Sequence, residues 1–358
     1  MKKIRWGIIG CGDVTEVKSG PAFYQLEHSE LVAVMRRNPD LAKDFAQRHG
    51  VKKWYTDADE LIQDPDVDAV YIATPPATHK KYTLLAAKAK KIVYVEKPMA
   101  LTFEECNEMI SICKSQNVPL FVAYYRRALS RFIKVKELID SGAIGTPRIV
   151  NCLFYREMEE CYKDHDNLPW LVKPEISGGG LFVDLACHTL DILDFLLGKI
   201  ISVKGHAGFQ EDAYPAEDCV SISFVFEKNI HGVGIWNFVS GTREDRVEIV
   251  GNKGKVVFST FGHSAISYYD ENGNIEQYDF ENPKTIEMPL IQTVMDQLQG
   301  KGHCPSTGES AARTNWVIDE VLKDYRALYH RHSKRIADKE KDFLQSETDF
   351  SRQHRINP

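Results

Sequence analysis

The chain has 358 residues, of which 43% are hydrophobic and 27% are charged, and its formal net charge is -6. Because this length exceeds what one hydrophobic core usually organises, we expect two domains. The small negative charge gives no electrostatic basis for a nucleic-acid partner, and no stretch approaches the ~20 consecutive apolar residues of a membrane span.

The N-terminus has only a superficial likeness to a secretory signal, in which basic residues precede an apolar stretch, here Trp6–Cys11. That stretch ends at Gly12, short of the ~7–15 apolar residues that an export signal needs. The eight cysteines are scattered and include no Cys-x-x-Cys pair, which disfavours a zinc site or a disulfide framework and favours reduced, buried thiols. We therefore predict a cytoplasmic protein whose motifs require no metal.

The first part of the chain alternates short apolar runs with helical patterns, which is typical of βαβ units and a parallel sheet. We predict an α/β fold with a Rossmann-type, doubly wound dinucleotide-binding domain over residues 1–125. The Thr102 side chain, with Glu105 three residues later, predicts a capped helix start. The predicted strands are Ile4–Ile9, Leu31–Met35, Ala69–Ala73, Ile92–Val95 and Pro119–Ala123, and the predicted helices are Leu41–His49, His79–Lys90 and Phe103–Gln116.

A second domain, built on a mostly antiparallel sheet, is predicted over residues 126–330 for substrate binding and oligomerisation. It begins with a helix near Ser130–Ser141, and its later strand-like runs are separated by turn residues. A helix near Gly308–Tyr329 follows, and residues 331–358 form a charged tail. The predicted strands are Arg148–Tyr155, Ile201–Gly208, Cys219–Phe226, Gly232–Phe238, Arg246–Val250 and Lys255–Thr260.

One strand of this sheet indicates how its two faces differ. Apolar residues alternate with serines over Val220–Phe224, so one face belongs to the core and the other is flat and weakly polar. Such a face suits either solvent or a partner subunit, and we predict a homodimer or homotetramer.

The loop after the first predicted strand carries two glycines in the context of a Rossmann fingerprint. Gly10 permits a tight turn, and Gly12 lets backbone N–H groups approach a pyrophosphate. Thr15 stands where the pattern has its third Gly or Ala, so an ordinary glycine turn is the alternative. We predict that Gly10, Gly12, Asp13 and Val14 contact a dinucleotide.

Cofactor choice is expected at the end of the second strand, where an acidic residue would bind a ribose 2′-hydroxyl. The sequence has Arg36 and Arg37 there and no carboxylate. Guanidinium groups favour a 2′-phosphate, so NADP(H) is predicted ahead of NAD(H). A pair of solvated arginines is the alternative.

Three further segments make the case specific. They are Ala73–His79 after the third strand, Glu96-Lys97-Pro98 after the fourth, and Gly178–Asp191 in the second domain. Together with the glycine loop they closely resemble the Gfo/Idh/MocA family, which includes glucose-fructose oxidoreductase and inositol dehydrogenase. The resemblance runs from about Lys3 to Ala327, so only the tail lies outside it.

The resemblance implies roles for these residues. Thr74, Pro75, Pro76, His79 and Glu96 would contact the cofactor. Lys97, over the cofactor site, would hydrogen-bond the reacting oxygen and polarise it, and the bond to Pro98 would be cis. His188 would be the general acid/base, and Asp184 would orient it or bind a substrate hydroxyl.

The residues themselves support part of this scheme. Asp184 and His188 are four positions apart, so on a helix they share a face, and the preceding glycine run allows a tight entry to that helix. Histidine suits proton transfer because its unperturbed pKa lies near neutrality. The alternative is an Asp–His pair that bridges helices, and Asp191 is interpreted as a packing residue.

Two other residues are predicted to contact substrate. Trp170 would stack on a sugar face or close the site, with a hydrophobic anchor as the alternative. Arg126 would touch substrate or cofactor, with an interdomain ion pair as the alternative.

We therefore predict an NAD(P)-dependent oxidoreductase that transfers hydride between nicotinamide and a carbinol or carbonyl carbon of a sugar, polyol or related cyclic diol. Two alternatives stay open: a nicotinamide-retaining glycosidase and a non-catalytic dinucleotide-binding sensor. Retention of Lys97, Asp184 and His188 together counts against the sensor. Neither the particular substrate nor the direction of the reaction follows from the sequence.

Overall fold

A computed structural model describes residues 3–211 and 213–328. Its first sheet has six parallel strands in the order β3-β2-β1-β4-β5-β6. The elements are β1 (Ile4–Ile9), α1 (Asp13–Val17), α2 (Ala22–Gln25), β2 (Ser29–Met35), α3 (Pro39–Arg48), β3 (Lys53–Tyr55), α4 (Ala58–Gln63), β4 (Ala69–Ile72), α5 (His79–Lys88), β5 (Ile92–Val95), α6 (Phe103–Ser115) and β6 (Leu120–Val122).

The second sheet has eight strands in the order β14-β13-β12-β11-β7-β10-β9-β8, antiparallel except for the β7–β10 pair. Its region contains α7 (Ser130–Asp140), β7 (Pro147–Tyr155), α8 (Pro174–Ser177), α9 (Cys187–Leu197), β8 (Ile200–Gly208), β9 (Cys219–Phe226), β10 (His231–Asn237), β11 (Glu244–Gly251), β12 (Lys255–Phe258), β13 (Ile266–Tyr269), β14 (Ile275–Tyr278), α10 (Met288–Leu298) and α11 (308–328). The predicted α/β class with a parallel and a mostly antiparallel sheet is confirmed.

Several predicted elements agree with the structure in detail. Strands β1, β5 and β9 have the predicted bounds. The Thr102 side chain accepts a hydrogen bond from the N–H of Glu105 at 3.2 Å, which caps α6 as predicted. Over Val220–Phe224 of β9 the apolar residues are buried and the serines between them are partly or fully exposed, so the predicted two-faced strand is present.

The sequence missed three strands and several helices, among them the short α2, α4 and α8. Strand β3 was missed because it has only three residues, and β13 and β14 were missed at the far edge of the second sheet. Helix α10 was also missed, although its apolar residues Leu290, Ile291, Val294 and Met295 repeat with helical spacing.

Helix α10 packs where the sequence did not place it. Its apolar side belongs to the core cluster that contains Trp6, Phe23 and Tyr71 of the first sheet's region. The chain therefore returns to the parallel sheet after the antiparallel sheet is complete, within the residues assigned by sequence to the second domain. The end of the predicted last helix and the predicted tail lie outside the described residues.

The order of the parallel strands reverses between β1 and β4. Ligands of open α/β sheets bind beyond the carboxyl ends of the strands at such a point.

Among the described residues, no helix is both long enough and apolar enough to cross a membrane.

Candidate active site

The glycine loop follows β1 and lies against the segment after β4. Gly10 has a φ of +92°, and a Cβ added to it would lie 2.8 Å from Thr74 Cγ2. A Cβ added to Gly12 would meet only the Gly10 carbonyl oxygen, at 4.0 Å, and otherwise open space. The loop therefore has a backbone conformation that glycine favours. Its backbone is uncovered where the strand order reverses, and this arrangement fits a dinucleotide pyrophosphate.

Thr15, the departure from the fingerprint, has a defined place. It is fully buried, and its hydroxyl donates a hydrogen bond to the Gly12 carbonyl at 2.7 Å. Of the predicted loop contacts, Asp13 is exposed and Val14 half-buried in the first turn of α1. The threonine therefore supports the loop from within, and its side chain leaves the outer surface free.

The two predicted cofactor-selecting arginines differ. Arg36 is half-buried, and its guanidinium donates to the Cys11 carbonyl in the glycine loop at 3.3 Å. Arg37 is exposed. The structure therefore brings Arg36 to the loop and leaves Arg37 at the surface beside it.

The segment after β4 is held by His79. This side chain is fully buried, and its ring nitrogens lie 2.6 Å from the Thr74 carbonyl oxygen and 3.0 Å from that of Pro98. Burial lowers its pKa to about 4, while the carbonyl oxygens at both ring nitrogens favour the protonated ring and oppose that shift. Direct cofactor contact was expected of His79, but the structure gives it a supporting position that links the loops after β4 and β5.

Around it, Thr74 and Pro75 are half-buried and Pro76 is buried at the start of a short turn. The Thr78 hydroxyl donates to the Thr74 hydroxyl at 2.7 Å. The predicted cofactor-contacting segment therefore lies at the carboxyl end of β4 as a hydrogen-bonded turn.

Lys97 follows β5 and forms an ion pair with Asp184. Its Nζ lies 2.7 Å from Asp184 Oδ1 and 3.1 Å from the Asp184 carbonyl oxygen. Burial alone would lower the pKa of Lys97, but the negative charge of Asp184 outweighs it and raises the pKa above its ordinary value. Lys97 is therefore an ammonium at neutral pH. The Lys97-Pro98 bond is cis.

Beside it, Glu96 is buried. Its Oε1 accepts from the Tyr71 hydroxyl at 2.5 Å, and its Oε2 accepts from the Lys97 N–H at 3.1 Å. Burial raises the pKa of Glu96. These two bonds fix the carboxyl beside the backbone of Lys97.

The segment that carries Asp184 begins at the glycine run. A Cβ on Gly179 would lie 2.4 Å from Val183 Cγ2, and one on Gly180 would lie 2.8 Å from Ala216 Cβ, so glycine is required for close packing. Residues Phe182–Ala186 form a π-helical turn that leads into α9, which starts at Cys187. The sequence predicted an ordinary helix here, and the wider turn was not foreseen.

His188 lies at the start of α9, is 5% exposed, and has a buried Nδ1 without a hydrogen-bond partner in the described structure. Burial lowers the pKa of His188 well below its ordinary value, and the positive charges of Arg126 and Lys97 lower it further. The imidazole is therefore neutral and able to accept a proton. Asp184 pairs with Lys97, so the orienting bond that was expected between Asp184 and His188 is not what the described structure shows.

Aromatic rings surround His188, with the centroids of Tyr125 and Phe261 at 5.6 Å and 5.7 Å from its own. The same two rings enclose the Arg126 guanidinium at 4.8 Å and 4.6 Å. Arg126 Nε donates to the Thr260 carbonyl at 3.0 Å, while its Nη1 is buried without a partner in the described structure. Arg126 thus lies next to the predicted acid/base.

An ion pair was the alternative considered for Arg126, and in the structure its neighbour Arg127 forms one, within the second domain. Arg127 contacts Asp191 at 2.7 Å and Asp194 at 3.1 Å, and Arg313 contacts Asp194 at 2.6 Å. The packing role predicted for Asp191 matches this buried position.

Sequence reasoning missed the loop after β12, which brings Phe261 to His188. Asp245 holds that loop, because its carboxylate accepts from the N–H groups of Thr260, Phe261 and Gly262 at 2.6–2.9 Å. No local motif marks these residues, and only the pairing of β11 with β12 brings them together.

Trp170 is 41% exposed in a short turn before α8, and α8 packs against the turn that begins at Pro76.

A lysine ammonium, a neutral histidine and a dinucleotide loop at one sheet edge define the chemistry of a nicotinamide-dependent oxidoreductase. Residues 4–124 match an oxidoreductase family with an NAD-binding Rossmann fold, and residues 132–257 match the GFO/IDH/MocA C-terminal domain. The chain belongs to the Gfo/Idh/MocA oxidoreductase family, as the sequence motifs predicted.

Individual relatives agree. An oxidoreductase of Formosa agariphila is 41% identical over 88% of this chain and 98% of its own length. The myo-inositol 2-dehydrogenase of Thermotoga maritima is 26% identical over 76% of this chain and 80% of its own. The crystal structure of an aldose-aldose oxidoreductase from Caulobacter crescentus, in complex with glycerol, shares the fold with a TM-score of 0.80 at 23% identity, over 91% of this chain and 98% of that one.

Proposed function

We propose that the protein catalyses reversible hydride transfer between nicotinamide C4 and a carbinol or carbonyl carbon of a sugar, polyol or related cyclic diol. The observation that carries this proposal is the Lys97–Asp184 ion pair beside a neutral His188, at the carboxyl edge of the parallel sheet. The bound dinucleotide supplies the hydride acceptor or donor.

The two protonation states assign different tasks to the two side chains. In the oxidative direction, the neutral imidazole of His188 accepts the proton of the substrate hydroxyl. The Lys97 ammonium is already protonated, so it donates a hydrogen bond to the oxygen and stabilises its developing negative charge. In the reductive direction the same groups act in reverse, with protonated His188 returning the proton.

The substrate class follows from the same groups and from the relatives. Lys97, Asp184 and His188 offer donors and acceptors for hydroxyl groups, while Tyr125 and Phe261 offer apolar ring faces for the C–H side of a sugar or cyclitol. The names of the relatives, an inositol dehydrogenase and an aldose-aldose oxidoreductase, support a polyhydroxylated substrate. Trp170 and Arg126 are proposed as further substrate contacts.

The test is the absorbance of reduced nicotinamide, followed with NADPH, NADH and their oxidised forms against a panel of sugars, polyols, ketoses and dihydrodiols. Turnover with one class supports the proposal and gives the direction. Silence across the panel from a protein that binds the nucleotide contradicts net hydride transfer. Release of an aglycone with no net absorbance change would then identify a cofactor-retaining glycosidase.

For the cofactor we propose a preference for NADP(H). Arg36 is anchored at the glycine loop by its bond to the Cys11 carbonyl and Arg37 is beside it, so both can approach a 2′-phosphate. We expect NADPH to bind more tightly than NADH, and Arg36→Ala with Arg37→Ala to remove the difference. Equal affinity of the wild-type protein for both cofactors contradicts this.

We also propose that the open face of the second sheet joins copies of the chain. Exposed aliphatic residues line this face, among them Ile149, Ile201, Val233 and Ile235, and a shallow depression of about 510 Å³ crosses its centre. Such a patch indicates an interface. Sedimentation should show a dimer or tetramer, and Val233→Glu with Ile235→Glu should dissociate it, whereas a wild-type monomer would remove the proposal.

A cytoplasmic location is proposed because all eight cysteines are free thiols, most of them buried, as expected in a reducing compartment. Fractionation of cells that produce the protein tests this.

A further inference from the structure

A second buried carboxyl group lies beside the catalytic lysine and has no role in the reaction described so far. Glu287 directly precedes α10 and is 1% exposed. Its backbone N–H donates to the Lys18 carbonyl oxygen at 3.0 Å, and Lys18 ends α1, the helix that the glycine loop begins. The C-terminal part of the chain thus places an acidic side chain at the edge of the parallel sheet that carries the predicted dinucleotide loop.

This carboxyl is incompletely bonded. Its Oε2 is buried and has no hydrogen-bond partner in the described structure. An unsatisfied buried carboxyl oxygen destabilises the fold, so a protein tolerates one where a ligand completes the bonding. Glu96, by contrast, is bonded through both oxygens to Tyr71 and Lys97.

The groups that face Glu287 come from several elements. Glu96 and Lys97 follow β5, and Lys18 follows α1. The Tyr94 hydroxyl of β5 and the Tyr125 ring also face the Glu287 carboxyl. Burial raises the pKa of Glu287 well above its ordinary value, and the charge of Glu96 raises it further. Two neighbouring buried carboxyl groups resist ionising together, so this environment favours the protonated form of Glu287.

We propose that Glu287 anchors the nicotinamide ring, and that its free carboxyl oxygen hydrogen-bonds the ring's carboxamide group. This rests on the dinucleotide binding described above and adds a residue to it. Lys97 acts at the reacting oxygen and must lie beside the nicotinamide, and Glu287 is its close electrostatic neighbour. The ring's carboxamide is the polar group that the cofactor brings to this place.

The chemistry of the two groups is complementary. A protonated carboxyl offers one O–H donor and one carbonyl acceptor, and a carboxamide offers the matching carbonyl acceptor and N–H donor. Holding that group fixes the rotation of the ring about its glycosidic bond. Glu287 therefore decides which ring face meets the substrate next to Lys97 and His188.

The experiment measures binary affinity without turnover, by calorimetry or tryptophan quenching. The probes are NAD⁺, 3-acetylpyridine adenine dinucleotide and ADP-ribose, each also as its 2′-phosphorylated form. The acetylpyridine analogue lacks the carboxamide N–H₂, and ADP-ribose lacks the ring. The variants are Glu287→Leu and Glu287→Gln, with Glu281→Gln at an exposed position as the matched control.

We expect the wild-type protein to bind the carboxamide dinucleotide about fivefold more tightly than the acetylpyridine analogue, the value of one hydrogen bond. Glu287→Leu should remove that preference, while Glu287→Gln and Glu281→Gln should keep it, and ADP-ribose affinity should be unchanged throughout. If Glu287→Leu does not fold, Glu287→Ser gives the same comparison.

The inference is overturned if Glu287→Leu retains the preference for the carboxamide, or if it weakens all three ligands equally. Failure of the wild-type protein to bind ADP-ribose or any dinucleotide would instead overturn the cofactor assignment itself. The two failures are therefore distinguishable.

Discussion

Two buried ion pairs lie on the same stretch of chain and behave differently. Asp184 meets a single lysine, Lys97, and their side chains keep 16% and 19% of their surface exposed. One helical segment later, Asp191 and Asp194 meet Arg127 and Arg313, and the Arg127–Asp191 pair is 4% and 1% exposed. The second cluster uses nearly all of its charges internally, whereas the first leaves part of its surface for a substrate. Residual exposure and incomplete pairing therefore distinguish the functional pair from the structural one.

The largest expected effect is a loss of turnover without a loss of stability. Lys97→Ala and His188→Ala should each lower turnover by about a thousandfold, because each removes a group that acts on the reacting hydroxyl. Steady-state kinetics measure the loss, and thermal unfolding should show an intact fold. Near wild-type rates in both variants would refute the assignment.

The structural cluster should give the opposite pattern. Arg127→Leu leaves Asp191 buried without its main partner, so the free energy of unfolding should fall by about 3–5 kcal/mol. Denaturant unfolding measures this, and the turnover of the protein that stays folded should change little. A variant of normal stability that has lost its activity would reverse the comparison.

Another buried carboxyl, that of Glu217, lies beside the glycine run that precedes α9. Glu217 accepts a hydrogen bond from the Gly180 N–H at 2.8 Å, and burial raises its pKa from 4.5 to about 7. Since the folded-state pKa exceeds the unfolded one, this group makes the protein less stable as pH rises between these values, by up to about 3 kcal/mol. Unfolding of Glu217→Gln across that pH range should show a smaller decline than the wild type, and parallel curves would contradict the shift.

The smallest expected effect concerns the pKa of Lys97. Asp184→Asn removes the largest charge that raises the pKa of Lys97, so burial then lowers that pKa against the weaker opposition of Glu96. Turnover should fall about tenfold near neutral pH, and the loss of kcat/KM at high pH should begin at a lower pH than in the wild type. An unchanged alkaline limb would show that Asp184 does not control the lysine.

The extent to which the sequence predicted the site depends on how local each signal is. Lys97, Asp184 and His188 stand in short motifs with fixed neighbours, and the structure places all three at the carboxyl edge of the first sheet's region or the helix facing it. Phe261 and Glu287 stand in no such motif and reach the site only through long-range packing.

Physical reasons also explain why the sequence missed or misassigned some elements. The three residues of β3 are too few to show a pattern, and the π-helical turn at Phe182 differs from an ordinary helix by one hydrogen-bond register. The position of α10 depends on tertiary contacts with Trp6 and Tyr71. His79 could be identified as important from its motif, but only the structure shows that both ring nitrogens face backbone carbonyls.

Helix α11 contacts both halves of the molecule. On one side Asp319 accepts from the Phe103 N–H at 2.6 Å and Asn315 donates to the Ala100 carbonyl at 2.9 Å. On the other side Arg326 donates to the Gly178 carbonyl at 2.7 Å, at the start of the glycine run. A fragment cut after the first sheet would therefore lack part of its own scaffold, and a shortened chain must extend at least to Arg326 to keep the two halves in one cooperative unit.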